Sequence, residues 1–131
     1  MQKIIIASGP VIVEDGKILL SKHGDTPFWK LCGGKVENFE ENLFMNAKRR
    51  AKEEVGVDLE LINEIPYFFY TQKEIEGEIA DVILCQFLAK RIGEVNKGVD
   101  IREVAWLEVG NLPQDLAPNI IPALKHFGFI E

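Results

Sequence analysis

The chain has 131 residues, 47% of them apolar and 27% charged, with a formal net charge of −6. That length fits a single domain spanning 1–131, and the apolar share lets a core form without disulfide or metal staples. An acidic chain lacks the clustered Lys and Arg that grip a phosphate backbone, so no nucleic-acid duplex is expected as a partner; a small nucleotide stays open, because a divalent cation can supply the charge matching.

The elements read as follows in chain order. The opening stretch, MQKIIIASGPVIV, is too short and too broken by Gly9-Pro10 for a secretory leader. It reads instead as strand: Lys3–Ile6 and Val11–Val13, with Asp15-Gly16 as a tight turn and Lys17–Ser21 returning as a hairpin. A polar loop covers His23–Thr26, and Phe28-Trp29-Lys30-Leu31 forms a short strand. Cys32–Glu40, with Gly33-Gly34, is a loop. Glu41–Val55 is a helix, whose Phe44, Ala47, Ala51 and Val55 make one apolar arc, closed by Gly56. Strands follow at Val57–Ile62, Pro66–Gln72 and Ile79–Ala89. Asn96-Lys97-Gly98 is a turn, Val104–Leu107 a short strand, and Leu112-Pro113 a break. A last helix opens at Pro118 or Asn119 and runs through His126. Strands, a central helix, more strands and a closing helix make an α/β (α+β) pattern, a mixed sheet sandwiched between helices.

Cys32 and Cys85 have no CxxC or Cys/His spacing, which argues against zinc and a disulfide framework. They read as two reduced thiols in a cytoplasmic protein. No stretch approaches the roughly 20 apolar residues of a membrane span, so no membrane partner is expected.

The chemistry is concentrated in GGKVENFEENLFMNAKRRAKEEVGV, residues 33–57. A Gly-Gly loop lets backbone groups approach a ligand closely. The helix after it ends in adjacent carboxylates, Glu53 and Glu54, with Arg50 three and four residues before them. Paired carboxylates beside exposed carbonyls form a hard, oxygen-rich site that suits Mg²⁺ or Mn²⁺, metals commonly used on phosphate-bearing substrates. On an ordinary helix the same residues would only decorate a solvated face, contributing about 0.2–0.5 kcal/mol per charge pair. The spacing of the whole segment changes that balance.

Residues 33–57 resemble the Nudix box, G-x5-E-x7-R-E-U-x-E-E-x-G-U, where U is a bulky aliphatic residue. Read back from Gly56, the chain has Glu54, Glu53, Ala51 and Arg49 at the expected places, Glu41 eight residues before Arg49, and Val57 at the end. Trp29-Lys30-Leu31 is similar to the family's Trp-containing strand, and Glu103–Trp106 with Leu112-Pro113 to its later E-x-x-W and Leu-Pro region. The resemblance implies a Nudix-type hydrolase that cleaves a pyrophosphate linkage in a nucleoside-diphosphate derivative with Mg²⁺ or Mn²⁺. It implies catalytic roles for Glu53, Glu54 and Arg49, with metal held by the Gly33 carbonyl, Glu53 and Glu54. A homodimer is compatible with it.

Three departures stand out. The loop from the glycines to Glu41 is one residue longer than in the box, and a loop absorbs an insertion more easily than a helix. Cys32 replaces the usual proline. Arg50 stands where the family has a glutamate that binds metal or acts as base. A guanidinium can do neither, so fewer metals and reduced activity are expected, with a non-hydrolysing nucleotide-binding or regulatory domain as the alternative. Asp100 and Glu103 are the candidates for a substitute carboxylate. His23 and His126 read as surface histidines. Trp29, Phe68, Phe69, Tyr70 and Trp106 could stack on a base but read mostly as core.

Overall fold

The computed structural model describes residues 3–131. Its elements are β1 (Lys3–Val11), β2 (Val13–Glu14), β3 (Lys17–His23), β4 (Gly34–Lys35), α1 (Leu43–Val55), β5 (Asp58–Leu61), β6 (Tyr67–Ile75), β7 (Glu78–Ile92), β8 (Ile101–Glu108) and α2 (Ile120–His126). β7 is the spine of the larger sheet. β1 runs parallel to it along one edge, from Lys3 opposite Ala80 to Val11 opposite Leu88. β6 and then β5 pair antiparallel with its other edge, and β4 adds two residues to β1. The smaller sheet has the order β2-β3-β8 and is antiparallel.

Two cores result. Alternation along β3 sends Leu19 into the core under α1 and Ile18 and Leu20 into the core under α2. The α1 core holds Ala47, Ala51 and Val55 against Cys85 and Phe87; the α2 core holds Ile120, Ala123 and Leu124 against Val11 and Leu31. The expected arc of α1 is thus its buried face, with Phe44 edge-on to Phe87 at 5.3 Å between ring centroids. The mixed sheet between helices is the architecture observed.

Several boundaries differ from expectation for tertiary reasons. Gly9-Pro10 does not interrupt β1, because parallel pairing with β7 carries the strand through it. Phe28–Leu31 is not a strand: only two isolated bridges form, Lys30 to Ser21 and Trp29 to Leu116. Gly34-Lys35, expected as loop, pairs with Ala7 and Ser8. The helix begins two residues later than expected, because Asn42 takes the N-cap and its side chain accepts from the Met45 amide at 2.8 Å. From Leu43 to Val55 it is regular α-helix, so the additional residue of the loop lies before it. The β6–β7 hairpin turns at Glu76-Gly77, both with positive φ, a turn carried by a non-glycine that no sequence signal marked. Among the described residues no helix is long and apolar enough to cross a membrane.

Candidate active site

Helix periodicity places Arg49 and Glu53 one turn apart, and the structure makes this a bridge. Arg49 Nη1 donates to Glu53 Oε1 at 3.1 Å, and Nη2 lies 3.3 Å from Glu41 Oε1. Nη2 also donates to Asn46 Oδ1 at 2.7 Å. Asn46 is fully buried, a residue the sequence reading passed over. Its amide donates to Ser8 Oγ at 2.9 Å and to the Gly34 carbonyl at 3.0 Å, while Ser8 Oγ donates to the Leu43 carbonyl at 2.7 Å. One polar cluster therefore ties the glycine loop, β1 and the start of α1 together. The available signal was a lone Asn beside the apolar arc, which must find partners once buried.

Gly33 and Glu54 meet directly: the Gly33 amide donates to Glu54 Oε1 at 3.2 Å. This depends on how closely the loop lies against β1. A Cβ on Gly9 would stand 2.0 Å from the Cys32 carbonyl oxygen, and one on Gly33 would stand 2.5 Å from the Ser8 carbonyl oxygen. Gly33 also has φ of 136°, a conformation that side chains disfavour. Burial pushes the Glu54 carboxyl up to about 7, against the opposing pull of the Gly33 amide, Arg50 and Lys30.

His23 was expected at the surface, but it is half-buried in the site. Its Nε2 lies 3.3 Å from Glu54 Oε1 and 3.2 Å from Ser21 Oγ. Burial, reinforced by Lys30, holds its pKa below the ordinary 6.5. Burial disfavours both the imidazolium and the carboxylate, which weakens any ion pair between them. No motif spacing flagged His23; its partner is 31 positions away in sequence and close only in the fold. His126 is exposed, as expected, and stacks on Tyr67 at 4.7 Å.

Arg50 does not point chiefly at the carboxylates. Its Nη2 donates to the Lys35 carbonyl at 2.9 Å, and Nη1 is 3.9 Å from Glu53 Oε2. The guanidinium lies against Gly34, whose added Cβ would be 2.8 Å from Nε. Arg50 therefore staples the glycine loop to α1.

His23, Gly33, Arg50, Glu53, Glu54 and Asp100 line one cleft of about 430 Å³. Asp100 arrives there because the preceding loop caps α1: the Asn96 amide donates to the Val55 carbonyl and the Gly98 amide to the Glu54 carbonyl, both at 2.8 Å. Glu103 is not part of the cleft; it lies 3.7 Å from Lys22 across the β3–β8 pair.

The NUDIX domain model matches residues 4–127. The chain belongs to the NUDIX family. A MutT NUDIX hydrolase from Burkholderia pseudomallei is 26% identical, with a TM-score of 0.78 over 95% of this chain and 98% of that one. The ORF135 protein of E. coli is 26% identical, with a TM-score of 0.71 over 96% of this chain and 89% of that one. An ADP-ribose pyrophosphatase from Streptococcus suis shares the fold at 19% identity, with a TM-score of 0.68 over 92% of this chain and 87% of that one. No curated protein matches the sequence at a significant level. The chain is thus a Nudix-type hydrolase by family.

NUDIX hydrolases generally use divalent metals. Among the described residues no group of three or more His, Cys, Asp or Glu side chains forms a ready metal cage. The donors nevertheless fit one hard cation. Glu54 is a carboxylate whose own surroundings leave its charge under-compensated, and Glu53 and Asp100 line the same cleft. Arg50, with Nη1 3.9 Å from Glu53 Oε2, adds a positive charge that argues against a larger cluster.

A second cavity, about 110 Å³, lies on the far side of the same loop. Gly33, Gly34, Lys30, Leu84, Gln86 and Asn119 are among its walls. Gln86 and Asn119 are both buried, Asn119 makes no side-chain capping bond, and Gln86 Oε1 has no partner among the described residues. A buried acceptor left unpaired costs about 1–3 kcal/mol. Lys30 is half-buried, with its pKa lowered first by burial and then by Lys73. The aromatic residues are placed otherwise than expected. Trp29 and Trp106 flank the cores, but Phe68 and Tyr70 are exposed at 55% and 60%. Both project from β6 on the Cys85–Ile83 side of the sheet, beside Asp81, to which Tyr70 donates at 2.5 Å.

Proposed function

We propose that this NUDIX chain hydrolyses a pyrophosphate linkage in a nucleoside-diphosphate derivative, with Mg²⁺ or Mn²⁺ held by Glu53, Glu54 and the Gly33 carbonyl. The observation that carries the reading is the pair of carboxylates at the end of α1, one oriented by Arg49 and the other touching the Gly33 amide at the rim of one cleft. Arg49 orients Glu53 through the shared bridge to Glu41. His23 and Asp100 face the same space; Asp100, unlike Glu103, is close enough to that cleft to take up a proton from attacking water. The chemistry supplied by the metal when bound is neutralisation of phosphate oxygens and activation of that water.

Arg50 supports a second reading, a nucleotide-binding domain of low or no turnover. Its positive charge sits beside Glu53 and disfavours a nearby divalent cation. Hydrolysis of a panel of nucleoside triphosphates, dinucleoside polyphosphates, ADP-ribose and nucleotide sugars, with Mg²⁺ and with Mn²⁺, followed by chromatography of the nucleotide products, separates the two. Metal-dependent cleavage of at least one compound, lost in Glu53→Gln, is expected. Nucleotide binding with no cleavage of any of them would favour the second reading.

A further inference from the structure

We propose that the uncovered face of the larger sheet is where two copies of this chain pack into a two-fold dimer. The inference goes beyond the hydrolase reading and does not rest on it. Strand alternation puts Ile4 and Ile6 of β1, Ile79 and Ile83 of β7, and Phe68 and Tyr70 of β6 on one side of that sheet. Ile6, Ile83 and Tyr70 stand in one row, each opposite the next. α1 covers the same side only farther along β7, over Cys85, Phe87 and Ala89. Beyond it the face lies open. Ile4 is 62% exposed, Phe68 55%, Tyr70 60% and Ile79 56%, while Ile6 and Ile83 are half-buried.

The area is what a dimer needs. Side chains of this size carry about 150–250 Å² each, so the six leave on the order of 500 Å² of apolar surface in water. Apolar patches of that order are often functional. An interface is about 60% apolar, so the patch corresponds to roughly 800 Å² per partner, the size of a standard specific interface.

Charge narrows the choice of partner. The polar positions on this side of β6 and β7 are Gln72, Glu74 and Asp81, whereas Lys3 and Lys73 fall on the other side. Asp81 accepts hydrogen bonds from Tyr70 and Gln72 within the face. An acid-bearing face on a chain of net charge −6 is a poor match for a lipid surface or nucleic acid, both of which are anionic. It suits a second copy. The centre of the patch is uncharged, and Glu74 lies toward the hairpin end, where it can stay in solvent. Two such faces stack sheet on sheet about 10 Å apart. A two-fold contact also closes after one partner, hiding the same patch on both copies.

Sedimentation velocity of the full chain, from micromolar to submillimolar concentration, is the test. It should show a dimer that dissociates on dilution. Phe68→Lys and Ile79→Lys, on different strands, should each weaken that dimer roughly a hundredfold, because a two-fold contact counts each substitution twice. Ile62→Lys makes the same kind of change at a residue 61% exposed, beside Val13 and Lys90 near the far end of β7, and should leave the dimer constant unchanged. All three side chains are more than half exposed in a single copy, so the variant monomers should keep the wild-type far-UV spectrum. Should Phe68→Lys fail to fold, Ile79→Lys decides, and dilution of wild type needs no variant. Added salt should tighten the dimer, because it screens repulsion between two chains of net charge −6. A monomer at every concentration overturns the inference, including one that binds a different protein through these residues. A dimer that survives both Phe68→Lys and Ile79→Lys overturns it, as does one weakened equally by Ile62→Lys.

Discussion

Replacing Glu54 by glutamine isolates the energetic consequence of burying a carboxylate at this site. The side chain is 13% exposed, and burial raises its pKa from 4.5 to about 7. Between those values the folded chain retains a proton that the unfolded chain has released. Folding stability therefore falls as pH rises through that window; the penalty is absent below 4.5 and complete above about 7. At about 1.4 kcal/mol per pH unit, the full penalty is roughly 3 kcal/mol. Glu54→Gln cannot ionise and still offers Oε1 to the Gly33 amide. In metal-free buffer at about pH 8 the variant should therefore melt roughly 10 °C above wild type, given about 3–5 °C per kcal/mol for a chain between the sizes for which the scaling is known. The gap should close as pH falls to about 4.5. His23, whose pKa is held below 6.5 by burial, works in the opposite sense: its contribution is lost as pH falls. The difference between the two melting curves, and not either curve alone, is thus the quantity to follow. Mg²⁺ should raise the wild-type melting temperature at about pH 8 and leave the variant nearly unmoved. Calorimetric melts across that pH range make the measurement. A gap that is constant with pH, or a variant less stable than wild type at about pH 8, would refute the reasoning.

Arg50→Glu should bind Mg²⁺ more tightly than wild type by titration calorimetry. It should also lower stability by about 1–2 kcal/mol in denaturant melts, because the Lys35 carbonyl loses its donor and the packing on Gly34 is lost. Equal metal affinity in the two proteins would make Arg50 a bystander. Gly9→Ala should destabilise the fold by more than about 2 kcal/mol, since a backbone oxygen stands where its Cβ would be; a melting temperature equal to wild type would contradict the close approach of loop and strand. Asn46→Ala should cost about 2–3 kcal/mol and loosen the glycine loop, visible as faster amide exchange at Gly33 and Gly34; unchanged exchange would disconnect Asn46 from the loop. Arg49→Met, by contrast, should shift stability by less than about 1 kcal/mol, its charge pairs being partly exposed, while reducing turnover. A large loss of stability would mark Arg49 as structural.

Local signals in the sequence were enough for much of the fold. Helix periodicity and the Gly56 stop identified α1 to within two residues, and the Asp15-Gly16 turn identified the first hairpin, because each rests on interactions between near neighbours. The box spacing likewise marked Glu41, Arg49, Glu53 and Glu54 as one group, and within it the helix brings Arg49 and Glu53 together at i,i+4. Only the tertiary structure decided what lies against that group. His23 comes from β3 and Asp100 from a loop that caps α1; neither is near the box in sequence. The same holds for Arg50, whose charge could be read directly but whose main partner, the Lys35 carbonyl, appears only when β4 pairs with β1. Gly9 and Pro10, which look like a break, lie within a continuous strand because parallel pairing with β7 offsets their weak local preference. Contacts made through pairing and burial depend on chain segments brought together from far apart, and no local pattern of residue types encodes which distant segment will arrive.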